Sequence, residues 1–164
     1  MTWKGKAHKF GDNISTDLII PGRYFHLRDN LPELAKHVLE DADPEFIKKL
    51  RKGDFLVAGK NFGLGSSREH AARVIKIAGI RAVIASSFAR IFFRNAINVG
   101  LPLLQCDTSF IRNGDTLEVN MEEGWIKNLS SGEKISFSPL PPFMKEILKA
   151  GGLVEYVRGK GDLR

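Results

Sequence analysis

The sequence predicts an α/β fold with a parallel β-α-β-α-β core and an added antiparallel strand region. Between residues 55 and 105, short apolar runs alternate with helical patterns. The runs are continuously apolar, which is typical of parallel strands covered on both faces. After residue 113 the apolar residues adopt a spacing of two, which favours antiparallel strands. Because no repeat or long linker interrupts the chain, we expect residues 1–164 to form one compact domain.

The core elements follow in the order strand, helix, strand, helix, strand. Residues 55–58, 82–85 and 101–104 are the predicted strands. The first helix is predicted from apolar residues that recur at i, i+3, i+4 and i+7, namely Ala71, Val74, Ile75 and Ala78. The second helix is predicted over residues 88–99, and a glycine is expected to end each helix, Gly79 and Gly100 respectively.

The flanking regions are expected to add three helices and the antiparallel strands. Asn30 is a predicted cap for a helix whose apolar stripe is Leu31, Leu34, Ala35, Val38 and Leu39. A short helix is predicted after Asp43, and a last one between Pro141 and Gly151. The period-two pattern comprises Leu117, Val119 and Met121, then Ile135 and Phe137. The basic residues Arg158 and Lys160 are expected to lie in a frayed tail.

The composition excludes several classes of protein. No apolar run approaches the roughly 20 residues that cross a bilayer, and the residues after Met1 do not resemble a secretory signal. Cys106 is the only cysteine, which rules out an internal disulfide, suits a reducing cytoplasm, and favours a buried packing role. The net charge is +6, but the basic residues are scattered among 19 acidic ones, so nucleic-acid binding is disfavoured.

The segment of residues 59–70 is where we expect chemistry. It leaves the carboxyl end of a predicted parallel strand and enters a helix, where open α/β sheets place ligands. Gly65 permits close approach of a ligand to the backbone. Ser66 and Glu69 fit a capping box, and the amides of a helix start favour an anion. The guanidinium of Arg68 is suited to a carboxylate.

Other interpretations of this segment remain. A Gly-Ser-Ser turn can simply cap a helix without binding a ligand. Phosphate loops match poorly, because no lysine follows the last glycine and Arg68 replaces the third glycine of G-x-G-x-x-G. A nucleophile elbow, G-x-S-x-G, is also absent from the sequence. The residues alone therefore indicate a carboxylate site without an assigned reaction.

Four segments resemble one known family. Residues 65–72, Gly-Ser-Ser-Arg-Glu-His-Ala-Ala, resemble the signature of the swivelling domain of aconitase-family hydro-lyases. Residues 87–91 with Asn95 and residues 11–17, Gly-Asp-Asn-Ile-Ser-Thr-Asp, resemble two further motifs of that domain. Residues 142–154 are similar to the end of the family's free-standing small subunits. The resemblance covers nearly the whole chain in the family's order and implies an aconitase-type swivelling domain, layered β/β/α.

The resemblance implies a reaction. These enzymes dehydrate and rehydrate a hydroxy acid, and a serine removes the proton from carbon while a [4Fe–4S] iron acts on the leaving hydroxyl. Carried over by position, Ser66 would be the base, and Gly65, Ser67 and Arg68 would bind a substrate carboxylate. A serine hydroxyl is a weak base, so this role requires stabilisation of its alkoxide by the helix start and Arg68.

This chain cannot itself supply the cluster. A [4Fe–4S] cluster needs about three or four thiolate ligands, and the histidines, His8, His26, His37 and His70, show no paired zinc spacing. We therefore expect no metal ligands in this chain. The resemblance implies a separate large subunit that carries the cluster, with the active site at the subunit interface. An isolated small subunit could also self-associate through that surface.

The segment expected to determine substrate specificity comprises Arg23, Tyr24, Phe25, His26 and Leu27. In the family this loop helps to choose the variable group of the substrate, and we align His26 with the discriminating position. No arginine precedes Arg23, which argues against citrate. The resemblance favours isopropylmalate and leaves homocitrate, citramalate and dimethylmalate open. Outside hydro-lyase chemistry, a non-catalytic carboxylate-binding or RNA-binding module is the alternative.

Five residues near these motifs have no assigned role in substrate binding. We interpret His70, Arg90 and Arg94 as surface or partner-facing residues, and Phe92 with Phe93 as packing residues.

Overall fold

The computed structural model describes residues 2–66 and 69–160. Their strands form one mixed sheet in the order β4-β3-β2-β1-β5-β6-β7. Strands β1 to β4 are parallel, and β1, β5, β6 and β7 are antiparallel neighbours. The strands are β1 (Thr2–Lys9), β2 (Phe55–Ala58), β3 (Ala82–Ala85), β4 (Leu103–Gln105), β5 (Thr116–Asn120), β6 (Trp125–Asn128) and β7 (Lys134–Ser136).

The structure has a helix in each region where the sequence predicts one. They are α1 (Thr16–Ile19), α2 (Leu31–Ala35), α3 (Phe46–Lys49), α4 (Glu69–Ala78), α5 (Arg90–Asn98), α6 (Pro142–Ala150) and α7 (Leu153–Lys160), with a 3-10 helix at Gly22–Leu27. The predicted glycine ends are confirmed, since Gly79, Gly100 and Gly151 have φ of 110°, 81° and 97°. The predicted α/β architecture with a parallel core and an antiparallel extension is therefore confirmed.

Strand β1 was not predicted, yet it lies at the centre of the sheet. Ala7 pairs in parallel with Phe55, while Gly5 pairs in antiparallel with Leu117. Its inward positions include glycine and alanine, which give a weak hydrophobic alternation, so the period-two signal is easy to miss. β1 thus joins the parallel and antiparallel halves into one sheet.

The parallel strands β2 and β3 are buried on both faces, as their continuous apolar runs indicate. Neighbouring residues of β2 belong to different cores: Leu56 packs with the helices, whereas Phe55 and Val57 pack against the other face. That second core includes Leu117, Val119 and Ile126 from the antiparallel strands. Alternate residues of each parallel strand therefore stabilise opposite layers.

Three flanking predictions need correction. Asn30 does cap α2, accepting from Glu33 N at 3.4 Å, but the helix ends at Ala35 because the chain turns and Leu39 adopts φ 58°. The tail around Arg158 is helical, in α7, rather than frayed. Strand β6, between β5 and β7, was not predicted.

The parallel strands define two edges of the sheet. Their carboxyl ends lead into Gly59, Ser86 and Cys106, and their amino ends follow Asp54 and Arg81 on the opposite side. The loop in which we predict chemistry begins at the carboxyl edge, which is where open α/β sheets place ligands.

Candidate active site

At the carboxyl edge, backbone hydrogen bonds join one segment with family resemblance, residues 11–17, to the loop that directly precedes another, residues 65–72. The bonds run between residues 11–16 and residues 59–64, from Asn13 N to Lys60 O (2.8 Å), Gly63 N to Ile14 O (2.7 Å) and Thr16 N to Leu64 O (2.9 Å). These contacts hold the first motif directly against the loop that carries Ser66. Residues nearly fifty positions apart in the sequence are thereby fixed together.

The Asp12 side chain strengthens the same junction. Its Oδ1 accepts a hydrogen bond from Lys60 N at 2.7 Å. A Cβ added at Gly59 would overlap that carboxylate, so glycine is needed at the start of the loop. Asp12 therefore positions the loop backbone through a charge-assisted hydrogen bond.

The third segment with family resemblance packs beside the same loop. Asn61 N donates to Ser87 Oγ at 2.8 Å, and Ala89 N donates to Phe62 O at 2.9 Å. The Phe62 ring meets Phe92 edge-on at 5.2 Å between centroids. Phe92 is buried, which confirms its packing role, and Phe93 packs against the same core while partly exposed. Helix α5 is thus anchored beneath the loop.

The three segments enclose a cavity of about 220 Å³. Among the described residues its lining comprises Thr16, Gly63, Gly65, Ser66, Ala89, Arg90, Ile91, Phe92 and Asn95. This volume lies below the roughly 300 Å³ at which small-molecule sites begin. The cavity is therefore sized for one end of a substrate, such as a carboxylate, rather than for a whole hydroxy acid.

Thr16 is the most unusual polar residue of this cavity. It is 2% exposed, and its Oγ1 has no hydrogen-bond partner in the part of the chain that the structure describes. Gly65 adopts φ +107°, and a Cβ there would lie 3.1 Å from Thr16 Oγ1. Thr16 is not among the residues predicted to have a functional role. One sequence signal could have identified it. Ser15 caps α1 by accepting a hydrogen bond from Leu18 N at 3.2 Å, and the hydroxyl of the next residue, Thr16, turns inward.

Ser66 lies exposed at the mouth of the cavity. The Glu69 carboxylate accepts from Arg73 Nη2 at 3.1 Å, and the described residues show no reciprocal capping bond between Ser66 and Glu69. Because residues 67 and 68 between them lie outside the described residues, the capping box stays a prediction. The predicted carboxylate-binding residues Ser67 and Arg68 lie outside the described residues, so their roles stay predictions.

The predicted specificity segment forms the 3-10 helix, and side-chain contacts of Arg23 and Tyr24 hold its first residues in place. Arg23 donates to Asp41 at 3.0 and 2.7 Å and to Glu40 at 2.6 Å, which raises the pKa of the guanidinium. Hydrogen bonds from Tyr24, His37 and Arg23 lower the pKa of Glu40 to about 2. The Tyr24 ring stacks on His37 at 3.8 Å. Arg23 and Tyr24 therefore anchor the segment.

Phe25 is the residue of this segment that contacts the Ser66 region. Its ring meets His70 of α4 edge-on at 6.5 Å, and the Arg28 guanidinium lies 4.9 Å from its ring centroid. His26 is exposed, and Leu27 packs against the helical core. The structure thus brings Phe25, rather than the aligned His26, against the first turn of α4.

The residues that the structure describes do not fit an iron–sulfur cluster. Within residues 2–66 and 69–160, no three His, Cys, Asp or Glu side chains are grouped to hold a metal. Cys106 packs against the second core as predicted, and burial raises the pKa of its thiol to about 12. A thiol held protonated in this way is a poor metal ligand. Over the same described residues, no helix is long and apolar enough to span a membrane.

Known proteins are similar to this chain over its full length. A model of the aconitase C-terminal domain matches residues 30–108. A 3-isopropylmalate dehydratase small subunit from Archaeoglobus fulgidus is 62% identical over 100% of this chain and 99% of its own length. One from Thermotoga maritima is 62% identical over 97% of this chain and 96% of its own.

A solved structure agrees with these sequence matches. The crystal structure of 3-isopropylmalate dehydratase (leuD) from Methanocaldococcus jannaschii superposes with a TM-score of 0.95 at 47% identity, covering 98% of this chain and 96% of that one. Identity at this level over the whole length, together with the same fold, leads to one assignment. The chain belongs to the family of 3-isopropylmalate dehydratase small subunits, which are hydro-lyase subunits built on the aconitase C-terminal domain.

Proposed function

We propose that this chain is the small subunit of a hydro-lyase that interconverts 2-isopropylmalate and 3-isopropylmalate in leucine biosynthesis. The observation that supports this most is the meeting of residues 11–16, 59–66 and 87–95 around one small cavity with Ser66 at its mouth. The 62% identity to curated small subunits over the full length supports the same reaction.

We assign the base to Ser66. Its Oγ would take the proton from the substrate carbon, the electron pair of that C–H bond would form the C=C double bond, and hydroxide would leave the neighbouring carbon. Rehydration with the opposite regiochemistry gives the isomer. The start of α4 at Glu69, three residues beyond Ser66, supplies a partial positive charge that favours an alkoxide. The Arg68 guanidinium is proposed to hold the substrate carboxylate, together with Ser67 and the Gly65 amide.

The site needs a second polypeptide. Ser66 and Arg90 are exposed, and Ile91 beside them is 52% exposed. We propose that a large subunit carrying a [4Fe–4S] cluster docks here; that subunit would hold the cluster, which would supply a Lewis acid for the departing hydroxide. The same surface would support self-association of the isolated chain.

The substrate's variable group is proposed to lie near Phe25. This ring offers an apolar wall beside α4, which suits an isopropyl branch. Arg23 is already paired with Asp41 and Glu40, so it is not available for an additional substrate carboxylate. Homocitrate is the second candidate, because the Arg28 guanidinium lies 4.9 Å from the Phe25 ring. We propose a cytoplasmic location, where the Cys106 thiol stays reduced.

Reconstitution tests this function. The chain would be combined anaerobically with a cluster-bearing large subunit from the Archaeoglobus fulgidus or Thermotoga maritima system. Turnover would be assayed with isopropylmalate, homocitrate, citramalate, dimethylmalate and citrate. We expect activity on isopropylmalate above the others and none without the large subunit. Absence of turnover on every acid, combined with tight binding of RNA or of carboxylates by the chain alone, would favour a binding module instead.

A further inference from the structure

We propose that a second cavity, at the amino edge of the parallel strands, binds a small organic dianion with a hydrocarbon body. This cavity measures about 630 Å³ and opens beside Gly53, Arg81 and Pro102, the residues that lead into β2, β3 and β4. Ser66 and its cavity lie at the opposite ends of these strands. A ligand bound here would not compete with substrate at Ser66, so the site is suited to an effector.

The cavity is apolar within. Trp3, Ile80, Leu101, Pro102, Met121 and Leu148 contribute to its lining. Ile80 and Leu101 are buried, while the others are partly exposed. The volume lies in the range of roughly 300 to 1,000 Å³ that holds small molecules. A hydrocarbon body would therefore be taken up with removal of apolar surface from water.

The rim is strongly basic. Five cationic side chains line the cavity, and they are Lys52, Lys76, Arg81, Lys145 and Lys149. Glu122 is the one carboxylate among the lining residues that the structure describes. Within the described part of the chain, none of the five cations forms an ion pair. Their charge is thus available to a ligand.

The carboxyl ends of three helices offset only part of this positive charge. Helices α4, α5 and α6 end at the cavity, beside Gly79, Gly100 and Gly151. Each helix carboxyl end is equivalent to about half a negative charge. Together with Glu122, the three ends offset about half of the five positive charges, so about two and a half remain uncompensated. This excess matches a dianion.

Two of the cations are held in place before any ligand arrives. Lys76 Nζ donates to Val99 O at 3.0 Å and to Gly151 O at 3.1 Å, and an ammonium has one further N–H to offer. The Arg81 guanidinium lies 4.4 Å from the Trp3 ring centroid. Gly100 permits the ends of α5 and α6 to meet, because a Cβ at residue 100 would overlap the Gly151 carbonyl. Cations fixed in this way lose less conformational entropy on binding.

The arrangement favours a small acid over a polyanion. Nucleic-acid surfaces carry charge along an extended stripe, whereas these charges surround a recess with apolar walls. A branched dicarboxylate combines two negative charges with a hydrocarbon group, and 2-isopropylmalate is a suitable probe. Malate carries the same carboxylates without the branch, which makes it the matched control ligand.

Tryptophan fluorescence of the full chain provides the test. The sequence has two tryptophans, and Trp125 does not line the cavity, so Trp125→Phe leaves Trp3 as the reporter. Titration with 2-isopropylmalate should give a saturable change in Trp3 emission, and malate should bind at least about tenfold more weakly. The double variant Arg81→Gln/Lys149→Gln should raise the dissociation constant about tenfold or more.

Two controls separate this site from the first. Arg112→Gln/Lys127→Gln removes two exposed cations outside the cavity and should leave binding unchanged, as should Ser66→Ala. An unchanged emission, equal affinity for malate, binding that persists in the Arg81 and Lys149 double variant, or binding lost in Ser66→Ala would each overturn the proposal. Turnover with the large subunit is a separate measurement, so the proposed function could fail or stand independently.

Discussion

Gly65 lies against the buried hydroxyl of Thr16, and a methyl group added at Gly65 would come within 3.1 Å of Thr16 Oγ1. Gly65 also adopts φ +107°, which other residues rarely tolerate. Two independent constraints therefore select glycine at the position before Ser66. The relationship ties the proposed base to the first helix of the chain, since Thr16 is the first residue of α1.

Gly65→Ala should reduce both stability and activity. The positive φ alone should cost about 1 kcal/mol of unfolding free energy, and the contact with Thr16 should displace the Ser66 backbone. Gly114→Ala is the matched control, because Gly114 has φ +88° and open space around it. Urea unfolding should show a similar loss for both variants. Only Gly65→Ala should lower kcat of the assembled enzyme by about tenfold or more; equal kcat in the two would contradict the positioning role.

Thr16→Val tests the unpartnered hydroxyl. Valine has nearly the same shape, and removing a buried hydroxyl without a hydrogen bond should leave the free energy of unfolding unchanged or raise it by about 1 kcal/mol. We expect activity to fall nonetheless, because the hydroxyl faces the cavity beside Ser66. Thr16→Ser should retain activity. The measurement is kcat and KM alongside urea unfolding, and full activity in the valine variant would show that Thr16 has no functional role.

Ser66→Ala should abolish turnover without unfolding the protein. Removal of a general base typically costs about 10² to 10⁴ in rate. The stability should hardly change, since Ser66 is exposed. Ser138→Ala, at another exposed serine, is the control. Retained kcat in Ser66→Ala within the complex would remove Ser66 from the mechanism.

Asp54→Asn should weaken the fold in a pH-dependent manner. The buried carboxylate accepts hydrogen bonds from Lys6 N (3.0 Å), Arg51 N (3.0 Å) and His8 Nε2 (2.8 Å). Burial raises the pKa of Asp54, but these bonds outweigh it and lower the pKa below 3.8. A lowered folded-state pKa stabilises the protein above the unfolded value and loses that contribution as the pH falls through the folded one.

The free energy of unfolding should be about 1 to 3 kcal/mol lower in Asp54→Asn than in the wild type at neutral pH. This difference should shrink below pH 3.8. Urea unfolding at a series of pH values measures this. The exposed Asp29→Asn serves as the control and should show little difference at any pH. A difference that grew as the pH fell would mean that Asp54 is destabilising when ionised.

Cys106 should react slowly in the folded protein. Its thiol pKa of about 12 leaves almost no thiolate at pH 8, and burial also limits access. Labelling by iodoacetamide should therefore accelerate strongly in urea. Cys106→Ala should leave the iron content of the assembled enzyme unchanged, because the cluster is proposed to belong to the partner. Loss of iron in that variant would place a cluster ligand on this chain.

Local patterns predicted much of the parallel core. The helical spacing around Val74, the apolar runs of β2 and β3, and the glycines that end α4 and α5 are all features of neighbouring residues. Such features depend on backbone sterics and helix capping, so they can be identified without tertiary contacts. Strand β1 could not be identified in this way, because Gly5 and Ala7 give little hydrophobic contrast and its partners are distant in the chain.

The sequence by itself determined the class of the fold, the loop that carries Ser66 and the absence of enough cysteines for a cluster. The tertiary structure alone decided that β1 joins the two halves of the sheet, that Thr16 lies beneath Gly65, and that Phe25 meets α4. It also decided that the five cations of the second cavity gather at the opposite edge. The reason is that periodicity and capping act over a few residues, whereas pairing, burial and cavities depend on which distant segments exclude water together.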